Sequence, residues 1–261
     1  MIIDWTMTFT ALGLLIGMAT LTWVISVIKK DVSIVDSFWS LFIFAALIFW
    51  WCAADTARGP RALPALILVG VWAIRLSIYL TIRNWGHPED RRYQKIREQY
   101  EPMFWLKSLG IIFIFQATLA SIIALPILPV ILSDEPLNPL DFIGLSIFVV
   151  GLLFETVADN QMMTFKARHP GGGVLNQGLW RYSRHPNYFG EALLWWGFWV
   201  LAFSAGAPLW MILSPALMTW LLMKFSGVPM LEGDLKARRP DYSSYIETTS
   251  AFIPRRPRKK P

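Results

Sequence analysis

The chain is 261 residues long, with 55% of its residues apolar and only 16% charged. A water-soluble domain of that length needs more charge to cover its surface, so a soluble globular protein is excluded. The net charge of +6 does not describe a nucleic-acid groove, because the basic residues gather at the ends of apolar segments, where anionic lipid headgroups and topology signals account for them.

Apolar runs near the roughly 20 residues that a helix needs to cross a bilayer follow one another almost from end to end. They predict an all-α, polytopic membrane protein with seven spans, at 5–28, 34–53, 62–82, 109–132, 139–165, 188–205 and 208–225. The first run has Asp4 before it and Lys29 and Lys30 at its far end. That is the reverse of a signal peptide, so it reads as a retained helix. With the N-terminus outside, the inner segments hold Lys29, Lys30, Arg83, Arg91, Arg92, Lys95, Arg97, Lys107, Lys166, Arg168, Arg181 and Arg184. The outer loops hold only Arg58 and Arg61, with Asp134 and Glu135 on the same side. The positive-inside rule predicts this asymmetry, and seven spans place the basic tail in the cytosol. Residues 1–254 then form one integral membrane domain. Residues 255–261 form a basic cytosolic tail, expected to be mobile and held near anionic lipid by Arg255, Arg256, Arg258, Lys259 and Lys260. Cys52 is the only cysteine, so no internal disulfide is possible.

Ionisable groups within spans are costly and generally face a cavity or a partner. Asp36 falls near the inner end of the second span and Arg75 in the third. Glu155, Asp159 and Asn160 lie in the inner half of the fifth, and Asn187 and Glu191 open the sixth. Glu155 and Asp159 are four apart, as are Asn187 and Glu191, so each pair shares a helix face. A headgroup-level position explains Asp36 alone equally well. For the whole set, a hydrated cavity open to the cytosol is the better explanation.

The loop at 166–191 reads Lys-Ala-Arg-His-Pro-Gly-Gly-Gly-Val-Leu-Asn-Gln-Gly-Leu-Trp-Arg-Tyr-Ser-Arg-His-Pro-Asn-Tyr-Phe-Gly-Glu. Its three glycines permit close backbone approach to a ligand. Lys166, Arg168, Arg181 and Arg184 suit phosphate oxygens. Trp180, Tyr182 and Tyr188 offer flat surfaces for a nucleobase or nicotinamide, and the Asn187 amide supplies both a donor and an acceptor. This is a candidate nucleotide site. A basic surface loop for lipid headgroups is the plainer reading, and the interleaved amide, glycine and aromatic residues argue against it. No Gly-x-Gly-x-x-Gly follows a strand and no Gly-Lys-Ser occurs, so a soluble dinucleotide-binding domain is not supported. His87, His169 and His185 are each followed by proline and lack zinc-ligand spacing, so no metal is expected.

The run Arg-Tyr-Ser-Arg-His-Pro-Asn-Tyr-Phe-Gly-Glu at 181–191 resembles the C-terminal signature of the steroid 5-alpha-reductase family. Val-Asp-Ser-Phe-Trp at 35–39, the stretch from Trp72 to Tyr93 and Ser-Ala-Phe-Ile-Pro at 250–254 look like its bacterial branch, which implies the bacterial inner membrane. Isoprenylcysteine carboxyl methyltransferases and sterol reductases share the C-terminal architecture. The resemblance implies NADPH as cofactor, with Asp159 as the cofactor-binding aspartate, Asn187 and Glu191 as the Asn-x-x-Gly-Glu element and Tyr182 as the tyrosine before it. Arg75 is implied near the cofactor phosphates, and Arg83, Asn84, Glu155, Lys166, Arg168, Trp180, Arg181, Arg184, His185 and Tyr188 complete the expected cofactor set. By the same resemblance Asp36 is matched to the glutamate that holds the substrate carbonyl. Trp72 falls where the steroid reductases carry a tyrosine, so Tyr79, one turn beyond Arg75, is the other catalytic candidate. The histidine that follows the last span in the family is absent.

The expected reaction is hydride transfer to the C=C bond of an apolar enone, a 3-oxo-4-ene steroid by resemblance, entering from membrane lipid. Asp36, kept protonated by burial, would stabilise the enolate. An S-adenosylmethionine-dependent methyltransferase of a prenylated or lipid substrate, and a non-enzymatic lipid-binding scaffold, are the alternatives.

Overall fold

The computed structural model describes residues 4–54, 58–170, 172–225, 232 and 241–258. Every regular element among them is helical. In chain order these are α1 (Trp5–Lys29), α2 (Ile34–Ala53), α3 (Ala62–Asn84), α4 (Arg91–Tyr100), α5 (Phe104–Ala124), α6 (Ile127–Leu132), α7 (Pro139–Arg168), α8 (Pro186–Ser204), α9 (Leu209–Lys224) and α10 (Asp241–Thr248). Five of them, α1, α2, α3, α5 and α7, are long and apolar enough to cross a membrane. α8 is a 19-residue helix, and α9 is a shorter apolar one.

The spans read at 34–53 and 139–165 are helices at Ile34–Ala53 and Pro139–Arg168. The run read as one span at 109–132 is divided. α5 begins earlier, at Phe104, and stops at Ala124, and α6 follows Pro126. A proline inside a helix removes one backbone hydrogen bond and clashes with the preceding turn, which accounts for the break. Two further helices, α4 and α10, form in stretches without a span-length apolar run. Asp90 caps α4, its carboxylate accepting from Arg92 N at 2.9 Å.

The chain divides into two compact units. The first comprises Met1–Asn138 and Ala202–Ser214, the second Pro139–Leu201 and Pro215–Pro261. In the first unit α2 is the central helix, packing on α1, α3, α5 and α6. Its buried Phe42, Ile43, Ala46, Leu47 and Trp50 form the core, and Ser40 Oγ donates to Ala73 O at 2.9 Å, tying α2 to α3. Phe9, Leu21 and Ile28 on α1, and Ile67, Ile78 and Ile82 on α3, are exposed. Such apolar outer faces suit hydrocarbon. Arg61 is buried and holds the chain before α3 by donating to Glu135 O at 2.7 Å and Pro136 O at 2.9 Å.

In the second unit α7 and α8 meet through glycines. Gly144 and Gly151 on α7 are seven residues apart, and so are Gly190 and Gly197 on α8. A Cβ built on Gly151 would lie 2.5 Å from Leu194 N, and one on Gly190 2.5 Å from Glu155 N. The two backbones therefore touch, which is how helices associate where lipid leaves no hydrophobic driving force between them. The C-terminal segment is stitched to this unit. Arg255 N donates to Tyr182 O and Arg258 N to Thr248 O, each at 2.9 Å. The expectation of a mobile end is corrected as far as Arg258; Lys259 and Lys260 lie outside the described residues.

Candidate functional site

The polar residues singled out by spacing fall into clusters within each unit. In the first unit, Asp36 sits in the first turn of α2. Its two carboxylate oxygens are both taken: Arg92 Nη2 donates to Oδ2 at 2.7 Å and Tyr93 Oη to Oδ1 at 2.5 Å. Arg92 also grips Asp90, with Nε at 3.0 Å from Oδ1 and Nη2 at 3.1 Å from Oδ2. Burial and the neighbouring Asp36 carboxylate push the Tyr93 phenol well above its ordinary pKa against the opposing pull of Arg92, so it stays protonated as a donor. Burial works to raise the Asp90 carboxyl, but the hydrogen bonds and charge of Arg92 outweigh it and hold Asp90 below the usual range. The loop before α4 is anchored as well. Glu89 accepts from Arg97 Nε at 3.0 Å, from Arg97 Nη2 at 2.9 Å and from Val32 N at 2.9 Å.

One turn beyond Asp36, Trp39 packs edge-on against Trp72 with ring centres 6.4 Å apart. Its buried Nε1 has no hydrogen-bond partner among the described residues. Arg75 and Tyr79 share one face of α3, with Arg75 Nε and Nη2 enclosed. At the end of that helix Arg83 Nε donates to Asn84 Oδ1 at 3.1 Å, while the buried Asn84 Nδ2 has no partner among the described residues.

In the second unit the glycine contact fixes the polar groups. Gly190 lies against Glu155, and Asn187, one turn earlier on α8, donates through Nδ2 to Asp159 Oδ1 at 3.2 Å. Asp159, Glu155 and Glu191 are all buried, and Glu191 Oε1 accepts from Trp195 Nε1 at 3.0 Å. Asn160 is exposed. Lys166 and Arg168 are exposed in the last turn of α7, and Arg181 and Tyr182 are exposed in the loop. Gly172 and Gly173 take φ values of 93° and 135°, a region that favours glycine; Gly171 lies outside the described residues.

The rest of the Arg-His-Pro motif is turned inward. Trp180 is buried and donates from Nε1 to Ala158 O at 3.0 Å. Arg184 forms a two-pronged pair with Glu232, Nε to Oε1 at 2.7 Å and Nη2 to Oε2 at 3.2 Å, while its Nη1 donates to Ile246 O at 3.0 Å and Thr249 O at 2.7 Å. His185 Nε2 is 3.0 Å from Glu232 Oε1, and its ring stacks on Tyr188 at 5.5 Å. Burial works to raise the Glu232 carboxyl, but hydrogen bonds from His185 and Arg184, with their charge, hold it below the usual carboxylate range. Arg92, Tyr93 and Glu232 are not among the residues that spacing selects. The signal for the first two was Asp36 itself, since a carboxylate at a span end calls for a cation or donor partner, and Glu-Asp-Arg-Arg-Tyr at 89–93 supplies both. Among the described residues no group of three or more His, Cys, Asp or Glu is placed to hold a metal ion.

An uncharacterized protein of Schizosaccharomyces pombe is 26% identical to this chain over 93% of its length and 79% of its own. The steroid 5-alpha-reductase DET2 of Arabidopsis thaliana is 35% identical over 63 residues, 24% of each chain. No solved structure matches significantly. Residues 22–249 match the family described as Protein of unknown function (DUF1295). The chain belongs to that family, a member of the steroid 5-alpha-reductase-like group.

Proposed function

We propose that the chain is a membrane-embedded reductase acting on the C=C bond of an enone lipid, with NADPH as cofactor and 3-oxo-4-ene steroids as the substrate class. The observation that carries this reading is Tyr93: a buried phenol, held protonated, 2.5 Å from a carboxylate that Arg92 holds in place. Enone reduction needs a donor, because charge develops on the carbonyl oxygen as hydride reaches the β carbon; Tyr93 serves when its single hydroxyl hydrogen, given to Asp36 in this structure, turns onto that oxygen. This reading moves the donor from Asp36, whose oxygens already accept two hydrogen bonds, to Tyr93, and makes Asp36 its positioning partner. Tyr79 remains the second catalytic candidate.

The residue types support a dinucleotide. Exposed Lys166, Arg168 and Arg181 suit its phosphates, and exposed Tyr182 its rings. Asp159 and Asn187 pair a carboxylate with an amide, the combination that ribose hydroxyls or a carboxamide require. Glu191 belongs to the same assignment; in the first unit Arg75 and Arg83 are cationic candidates of their own, and the enclosed Asn84 amide is a donor without a partner among the described residues. NADPH supplies a hydride when bound. With a hydride on the β carbon, the C=C electron pair would move to the carbonyl oxygen, and the Tyr93 hydroxyl, turned from Asp36, would donate to the new charge. A proton taken up from solvent at the α carbon would complete the saturated ketone.

The test uses purified full-length protein in detergent, given NADPH and a 3-oxo-4-ene steroid. Loss of reduced-cofactor absorbance should accompany a product heavier by one H2. Tyr93→Phe should lower kcat by about 10²–10³-fold, the loss typical of one oxyanion donor, and leave NADPH affinity unchanged; Asn187→Ala should weaken NADPH binding. Selective thermal stabilisation by S-adenosylmethionine, with no response to NADPH, would replace this reading with methyl transfer.

A further inference from the structure

The second unit carries a cleft of about 340 Å³ at the end of α10 that the proposed reaction does not use. Its volume is in the range of small-molecule sites, roughly 300–1,000 Å³. Arg255, Arg256 and Arg258 line it, opposed by one carboxylate, Glu247. Arg184 also borders it, but its charge is already matched by Glu232 at 2.7 Å.

The end of a helix ordinarily presents bare carbonyls, which repel anions. Here Ile246 O and Thr248 O, and the two carbonyls just beyond the helix, are covered. Ile246 O and Thr249 O accept from Arg184 Nη1, Ser250 O accepts from Arg184 N at 2.8 Å, and Thr248 O accepts from Arg258 N at 2.9 Å. Thr249 and Ser250 line the same cleft. Pro254 and Pro257 restrict the backbone on which the three arginines are carried, and Arg255 N is fixed to Tyr182 O. Guanidinium groups on a pinned backbone suit forked contacts to phosphate oxygens.

We infer that this cleft is a phosphate-binding site, taking either the phosphate of an anionic lipid headgroup or a free phosphate. Arg184 lies two residues before the start of α8, so the cleft stands at the end of an apolar helix, where a headgroup phosphate is available.

The experiment titrates full-length protein in detergent, without nucleotide, by calorimetry. The probes are inorganic phosphate, short-chain phosphatidylglycerol and short-chain phosphatidylcholine. Saturable, salt-sensitive binding of phosphate or phosphatidylglycerol is expected, weakened at least about tenfold when Arg255, Arg256 and Arg258 are all changed to Gln, the scale set by losing charge-assisted hydrogen bonds. Glu247→Gln should tighten it. Phosphatidylglycerol binding well above both other probes assigns a lipid headgroup; equal affinity for inorganic phosphate assigns a free phosphate. No saturable binding of either anion, or a triple variant that binds as the parent does while Glu247→Gln changes nothing, overturns the site.

Discussion

The contact between α7 and α8 can be tested with one methyl group. Gly190→Ala places a Cβ 2.5 Å from Glu155 N, 2.7 Å from Gly151 O and 2.9 Å from Glu155 Cα. All three are backbone atoms, so no rotamer change relieves them, and carbon contacts relax only near 3.5–4.0 Å. α8 must therefore move by on the order of 1 Å. Overpacking of this kind costs about 1–3 kcal/mol, but alanine also gains up to about 1 kcal/mol of helix propensity over glycine. A matched control removes that second effect. Gly13 on α1 is exposed and has nothing within 4 Å of its built Cβ, so Gly13→Ala carries the propensity gain without the clash.

The difference between the two variants should be about 1–3 kcal/mol against Gly190→Ala, or roughly 2–4 °C in Tm per kcal/mol at this size. Thermal unfolding in one detergent at one scan rate measures it. The same shift stretches the Asn187–Asp159 hydrogen bond from 3.2 Å beyond useful length. If Gly190→Ala melts with Gly13→Ala, to within about 0.5 kcal/mol, the limit for ordinary surface changes, then the helices do not meet backbone to backbone.

Two other perturbations test the clusters. Arg61→Ala removes the donor to Glu135 O and Pro136 O and should cost about 1.5–3 kcal/mol in thermal unfolding, the scale of hydrogen bonds made by a charged group; Arg61→Lys should recover part of it. Glu232 is held below the usual carboxylate range, so its contribution to stability is present above the unfolded carboxyl value of about 4.3 and is lost as pH falls through the folded value. Glu232→Gln should therefore be less stable near neutrality and show a flatter acid limb in Tm against pH; an acid limb as steep as the parent's would remove Glu232 from that role.

The long helices were legible because hydrophobic run length states them directly, as at Ile34–Ala53. The break before α6 was legible in principle from Pro126, but hydropathy does not fall there, so run length carried across it. α4 and α10 were hidden by their charge and tyrosine content; only the Asp90 cap and the spacing of buried Tyr242 and Tyr245 mark them. At the site, Asp159 and Asn187 stood out because polar groups four apart recur at matching depths, and the structure brings the two together. The partners of Asp36 lie 56 and 57 residues away, a separation that periodicity does not reach. The tail to Arg258 looked loose because its composition is basic and proline-rich; its order comes from Tyr182 O and Thr248 O, which composition does not contain.

The motif most visible in the sequence and the groups best suited to chemistry are not the same residues. Arg184 spends its guanidinium on Glu232, Ile246 O and Thr249 O. His185 is engaged by Glu232 and Tyr188, Ser183 Oγ donates to Phe252 O at 2.7 Å, and Trp180 is tied to Ala158 O. These contacts lock the loop onto α7, onto α8, onto Glu232 and onto the C-terminal segment. Such a clamp is equally useful to a reductase or a methyltransferase, which is why the signature marks an architecture better than a reaction. A reaction has to be read from other groups: the Asp159–Asn187 pair that the clamp holds at the start of α8, and, independently in the first unit, the buried phenol on Asp36. The two sets should therefore respond differently. Arg184→Ala should lower stability and every downstream property together, whereas Tyr93→Phe, which removes one hydrogen bond to Asp36, should lower Tm by a few degrees and leave NADPH affinity in place while turnover falls far more. Equal behaviour of the two variants would mean that Tyr93 is also part of the scaffold and that the chemistry lies elsewhere.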